Sequence, residues 1–164
     1  KALGPNSIPS ELYKMQSVIL AHYLLQMFVE SRQESILPRD QRIATIIVVH
    51  KEGKPRDDCT GYRPISLLNA EVKLLAKLLA TRCVKVITGL VHADRSGFMP
   101  KRNMMLNLLR IHVALGQADK LGEDALVLSL DAKMVIDTIE WEYMIEVLSS
   151  LGFGSSFLAW IRLL

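Results

Sequence analysis

The stretch Leu126–Trp141, LVLSLDAKMVIDTIEW, constrains this chain more than any other. Leu126–Leu130 is apolar apart from Ser129 and too short for a helix, which is the pattern of a mostly buried strand. The run ends on Asp131. Asp137 follows in the same stretch, and Trp141–Leu148 takes up a helical rhythm. A carboxylate at the end of a buried strand is placed to hold a divalent cation, because Mg2+ takes hard oxygen ligands, usually one or two carboxylates plus substrate phosphates. The same residue could instead cap the helix that follows. Spacing alone favours neither reading.

A chain of 164 residues can bury one real core and is marginal for two. It is 50% hydrophobic and 23% charged, which excludes a disordered chain. Cys59 and Cys83 form no Cys-x-x-Cys pair, so neither a cysteine zinc site nor a disulfide framework is expected. That points to a reduced, intracellular compartment, cytoplasmic or nuclear. Val18–Val29 is broken by His22 and Gln26, so no membrane span is expected, and Lys1–Pro5 lacks the apolar run of a signal peptide. The charge is uneven. Residues 1–110 hold 17 Lys or Arg against 9 Asp or Glu, whereas residues 111–164 hold 3 against 8. A basic part followed by an acidic part suggests a polyanion gripped by the first and metal chemistry near the second. Ordinary solvated helix faces would give the same imbalance.

Along the chain, Ser10 is placed to cap a helix from Glu11 to about Ser31, with Leu12, Met15, Val18, Ile19, Leu24 and Leu25 as its apolar positions. Ile43–Val49 is a β-branched strand. A polar, turn-rich stretch follows, and Tyr62–Leu68 returns as the second strand, with Pro64 keeping it near an edge. The result is a basic hairpin over about 43–68 that carries Lys51, Lys54, Arg56 and Arg63. Such a ribbon could grip a triphosphate or a nucleic-acid backbone. Glu52, Asp57 and Asp58 fit a plain solvated tip equally well. Asn69 can cap a further helix whose Lys73, Lys77, Arg82 and Lys85 suit a nucleic-acid track or simple solvation. Val91–Arg102 is a connector, and Asn103–Leu115 resumes a helical pattern.

Four separated stretches resemble one family. Leu3-Gly4-Pro5-Asn6-Ser7-Ile8-Pro9 is similar to an opening Gly-Pro-Asp-Gly-Ile-Pro. Tyr62-Arg63-Pro64-Ile65-Ser66-Leu67-Leu68-Asn69 resembles a fingers motif and is intact. Ser96-Gly97-Phe98-Met99-Pro100-Lys101-Arg102 is similar to Gln-x-Gly-Phe-Ile-Pro-Gly-Arg. Ser129-Leu130-Asp131 through Asp137 resembles a first catalytic palm motif. Together they resemble the N-terminal part of the reverse transcriptase domain of a LINE-type, non-LTR retrotransposon.

The resemblance implies an α+β fold, the fingers and partial palm of a right-hand polymerase. Residues 1–124 would be a fingers-like helical region and 125–164 the start of the palm, incomplete at the C-terminus. The implied function is RNA-directed DNA synthesis by two-metal nucleotidyl transfer, using Mg2+ or Mn2+, an RNA template, a DNA primer and a dNTP. Asp131 would be the first metal ligand, and Lys51 and Arg63 would face the triphosphate. Ile136 stands where an aromatic usually lies under the nucleotide sugar, so the sugar contact differs in shape. Lys54, Arg56, Lys73, Lys77 and Arg102 would contact nucleic acid. Lys133 introduces a cation beside the metal ligand, Arg95 replaces a glutamine, Lys101 a glycine and Asn6 an aspartate. The paired aspartates of a later palm motif do not occur in the sequence after Asp137. The isolated chain is therefore expected to be inactive and to bind metal poorly. A noncatalytic nucleic-acid-binding module and a nonfunctional retrotransposon remnant are the alternatives.

Overall fold

The computed structural model describes residues 3–131 and 138–164. They form an α+β arrangement in two compact units: the chain up to Ala80 together with Gly152–Leu164, and Thr81–Leu151.

In the first unit, α1 (Ser10–Met15) and α2 (Ser17–Glu34) replace the single helix expected over Glu11–Ser31. The break falls at Gln16, at φ −111° and ψ 32°. Pro9 precedes α1 and makes no side-chain cap. Ser10 is the first helical residue rather than the cap, because the proline already supplies a preset φ and needs no N–H partner. α2 ends on Ser35 in the left-handed region, φ 57°, with Ile36 N–H donating to Ser31 O at 3.1 Å.

The hairpin forms where expected, with β1 at Thr45–His50 and β2 at Tyr62–Leu67. The strands are antiparallel, running from Thr45 opposite Leu67 to His50 opposite Tyr62. Lys51 N–H donates to Gly61 O at 2.7 Å, so the ladder extends one more pair in the same register. Bonded and non-bonded pairs alternate in such a ladder, which makes Val48 opposite Pro64 a non-bonded pair. The proline's missing N–H therefore faces away from β1, and the strand accepts it without losing a bond.

α3 (Ala70–Leu90) follows at once. Its Val72, Leu75 and Leu79 recur at helical spacing and are buried against Phe28 of α2, Leu37 and Leu163. Leu68, Phe157, Trp160 and Ile161 pack on that cluster, the last three from α6 (Ser155–Arg162). Each fully buried side chain of this kind contributes roughly 1.5–3 kcal/mol.

The second unit holds the rest of α3, α4 (Met104–Leu121) and α5 (Trp141–Ser150), where Ile145 is buried. Asn103 Oδ1 accepts from Met105 N–H at 2.9 Å and caps α4. Gly122 ends it at φ 68°, with Glu123 N–H returning to Ala118 O at 3.0 Å. The helix runs six residues beyond the expected Leu115, because Gly122 is the residue that stops it.

One expectation is overturned. Leu126–Leu130 is not a strand: it has no regular structure, and Leu126 and Leu130 are 90% and 84% exposed. A strand exists only by backbone pairing, and the one sheet among the described residues is β1–β2. Apolar patterning alone does not supply a partner.

The connector before α4 carries strain. Phe98 and Lys101 adopt φ 58° and 61°, a region that costs an L-residue roughly 1–2 kcal/mol. Lys101 is the position where the related motif has glycine. Lys101→Gly should therefore raise stability by about 1 kcal/mol despite the added chain entropy, read as a higher melting midpoint. A lowered midpoint would mean that the lysine side chain contributes more than its backbone costs.

Candidate nucleotide and nucleic-acid interface

The hairpin loop is tied down at several points. Gly61 lies so close to Pro55 that a Cβ would stand 2.6 Å from its carbonyl oxygen. Tyr62 Oη donates to Arg56 O at 3.0 Å, and His50 Nε2 lies 2.9 Å from Lys54 O, so in this contact it carries the proton. The His50 and Tyr62 rings meet edge to face at 5.2 Å. Asp58 accepts from the hydroxyl and the backbone N–H of Thr60, and these bonds hold its carboxyl below the usual range. Lys51 Nζ donates to Thr60 O at 2.7 Å, which links the cation to the loop.

Register decides which cations share a face. Successive residues of a strand alternate sides, and paired residues share one. Val49 stands opposite Arg63, and Lys51 follows Val49 by two. Lys51 and Arg63 thus belong to the same face of the ribbon. Lys54 and Arg56 sit in the exposed loop between them, their carbonyls holding the His50 and Tyr62 side chains.

Behind the hairpin lies a buried polar knot that the sequence reading missed. Asn69 is 1% exposed. Its Oδ1 accepts from Asn6 N–H at 3.1 Å, and its Nδ2 donates to Asp40 O at 2.9 Å. Next in line, Glu71 accepts from Asn6 Nδ2 at 3.0 Å and from the Tyr13 hydroxyl. A Cβ on Gly4 would stand 2.6 Å from the Asn69 backbone, so only glycine permits the approach. The opening motif and the fingers motif are thus two halves of one joint. The residues were in view: a glycine and two asparagines inside the two motifs.

Burial and the bond to Glu71 push the Tyr13 hydroxyl well above its ordinary value near 10. The folded chain therefore keeps a proton that the unfolded chain loses, and the resulting stability is present below pH 10 and lost as pH rises above it. A melting midpoint followed upward from pH 9 should fall, and Tyr13→Phe should flatten that fall. An unchanged slope in the variant would assign the alkaline loss to other groups.

Lys73 and Lys77 lie one turn apart on α3 and, with Lys14 of α1, line a cleft between α1, α2 and the start of α3. Lys14 was not singled out from sequence. Arg102 has a structural occupation instead of an open face. One guanidinium nitrogen donates to His92 O and Arg95 O at 2.5 and 2.8 Å. The other donates to Thr88 O and Val91 O at 2.8 and 3.0 Å. It closes the C-terminal end of α3 and stitches the connector to it, a role that Arg performs better than any other residue because its donors form a fixed fork.

Asp131 is exposed at the end of the irregular segment. Ile136 and Asp137 lie outside the described residues, as does Lys133. Among the described residues no group of three or more His, Cys, Asp or Glu is gathered to hold a metal ion. Asp131 by itself does not supply the carboxylates that a two-metal centre needs. Cys59 is exposed and Cys83 half-buried, both as free thiols, with burial raising the Cys83 thiol. Among the described residues no helix is long and apolar enough to cross a membrane.

The profile of the family described as "Reverse transcriptase (RNA-dependent DNA polymerase)" matches residues 49–164. The chain belongs to this reverse transcriptase family. Its relatives are mobile-element proteins. Over 162 residues, 99% of the chain, it is 26% identical to the "Transposon TX1 uncharacterized 149 kDa protein" of Xenopus laevis, of which it covers 12%. It is 31% identical over 88 residues, 54% of the chain, to the "Probable RNA-directed DNA polymerase from transposon BS" of Drosophila melanogaster, covering 10% of it. With the "RNA-directed DNA polymerase from mobile element jockey" of the same fly it shares 25% identity over 141 residues, 85% of the chain and 15% of that protein. The chain thus spans a small part of each relative's length. These matches bear out the resemblance: it is a segment of a reverse transcriptase domain of the non-LTR retrotransposon kind. Mg2+ dependence is typical of the reverse transcriptase family.

Proposed function

We propose that this chain forms the fingers and the first palm motif of a right-hand RNA-directed DNA polymerase. In this reading Lys51 and Arg63 meet the triphosphate of an incoming dNTP. Lys54, Arg56, Lys73 and Lys77 follow the backbones of the RNA template and DNA primer. Arg102, held by carbonyls, acts on nucleic acid through the connector it fixes. Asp131 is the first metal ligand of the complete parent site, and Ile136 faces the nucleotide sugar.

The observation that carries this reading is the shared face of Lys51 and Arg63 in a member of the reverse transcriptase family. Two cations on one rigid ribbon offset phosphate charge without reorganising when the nucleotide arrives. Positioning alone leaves most of the barrier in place, because phosphoryl transfer also needs metal ions on the attacking and leaving oxygens. The isolated chain is therefore a binder without turnover.

A second reading, a noncatalytic nucleic-acid-binding module, is favoured by one contrast: the cations stand on regular elements and a tied loop, whereas Asp131 stands on an irregular segment. Primer extension with the 164-residue chain and its Asp131→Asn variant, alongside primer–template binding at rising salt, tests both. Binding that weakens with salt, with no extension by either protein, agrees with the proposal. Templated extension by the parent that is lost in the variant would show a complete site. Absence of saturable binding by a folded chain would leave a remnant without function.

A further inference from the structure

The cleft between α1, α2 and the N-terminal half of α3 has a volume near 650 Å3, within the range of clefts that enclose small ligands. Its walls are mostly apolar, with Leu20 and Leu74 prominent, and Tyr13 lies at one side. Lys14, Lys73 and Lys77 also line it, and none of its lining residues is Asp or Glu. Lys77 has a further interaction of its own, so the argument rests on Lys14 and Lys73. An apolar floor under cations of one sign calls for an anion with a flat apolar body. Single-stranded nucleic acid has that chemistry, since its unstacked bases can enter pockets while phosphates stay on basic rims. A duplex does not, because its bases are paired and stacked within it.

We propose that this cleft takes an unpaired base of single-stranded RNA, with the adjoining phosphates on Lys14 and Lys73. This rests on the nucleic-acid reading above, and it places a second contact on the helical side of the unit, separate from the hairpin cations. The polar knot supports it. Asn69 binds Asn6 and lies against Gly4, and Glu71 accepts from Tyr13; Gly4 and Tyr13 line the cleft, so two of its walls are held in place before a ligand arrives.

The test is fluorescence anisotropy of the full chain with a labelled 12-mer of polyuridine RNA, and with the same strand made abasic at its centre. Three variants are compared: Ala21→Trp, which fills the cleft; Lys14→Ala with Lys73→Ala; and Lys54→Ala with Arg56→Ala in the hairpin. Circular dichroism first establishes that each is folded. Ala21→Trp should weaken the intact strand about tenfold and leave the abasic strand nearly unchanged. The Lys14/Lys73 pair should lower the slope of log affinity against log salt by about 1.4. Unchanged binding of the intact strand by Ala21→Trp, or an unchanged slope in the lysine pair, overturns the proposal. So does competition for the cleft by an acidic peptide but not by RNA, which would assign it to a protein partner. If the hairpin variant alone loses binding, the cleft proposal fails and the hairpin reading stands. If the cleft variants alone lose it, the hairpin reading fails and the cleft stands.

Discussion

Asn69→Ala should cost the first unit about 3–5 kcal/mol, a large fraction of the stability of a domain this size. The side chain is 1% exposed. Its loss leaves the Asn6 N–H and the Asp40 carbonyl without their partner at once, each costing roughly 1–3 kcal/mol where buried. It also frees Gly4–Asn6 to leave Glu71, so the Glu71 carboxylate loses the Asn6 amide as well. Asn69→Asp should fare little better, because an ionised carboxylate cannot donate to Asp40 O and would sit buried two residues from Glu71. Guanidinium unfolding followed by circular dichroism reads the effect. A midpoint within error of the parent would mean that the knot is not what joins the N-terminal motif to α3.

Arg102→Ala should destabilise the second unit by about 2–3 kcal/mol, with the Val91–Arg102 connector losing protection from hydrogen exchange first. Four carbonyls lose their donors, two of them bonded in partly buried positions at the end of α3. The exposed pair recovers bonds to water, which keeps the loss below the sum of four bonds. Arg102→Lys should recover little, since a compact ammonium cannot span carbonyls from Thr88 to Arg95. Full recovery by lysine would show that charge near the helix end, rather than the fork of donors, is what matters.

These two effects also show where the sequence was legible. The hairpin could be read within two residues, because β-branched runs flanking a polar, Gly-containing turn have few other solutions. The helix after Asn69 was equally plain, but its buried apolar positions are Val72, Leu75 and Leu79, whereas Leu74, Leu78 and Val86 are exposed. The break at Gln16 was not, because Met15 and Val18 continue the helical spacing across it and the interruption is one of backbone angle. Leu126–Leu130 misled because four apolar residues around Ser129 suggest burial but specify no pairing partner. Its carboxylate therefore stands at the end of an exposed, irregular segment instead of a strand.

The motif residues divide the same way. Gly4 and Asn69 sat in stretches recognisable by resemblance, but their joint needs contacts across sixty or more positions, which no local pattern encodes. Ser7 and Lys101 stand where the related motifs have glycine, and both adopt left-handed φ, 55° and 61°. The glycines of those motifs are thus explained by backbone geometry, and this chain carries the strain of having lost them. Arg102 was recognisable as a cation, whereas its engagement by four carbonyls depends on how the connector folds back.

The central claim is that Lys51 and Arg63 form one phosphate-facing pair. It is tested most directly by titrating the full chain with a fluorescently labelled deoxynucleoside triphosphate in the presence of Mg2+, using the parent, Lys51→Ala, Arg63→Ala and the double variant, each first shown to be folded. Charge-assisted hydrogen bonds contribute about 1.5–3 kcal/mol, so each single variant should weaken binding at least about tenfold. Added inorganic triphosphate should displace the probe from the parent. Equal affinity in all four proteins, or displacement by the nucleoside but not by triphosphate, would contradict the assignment.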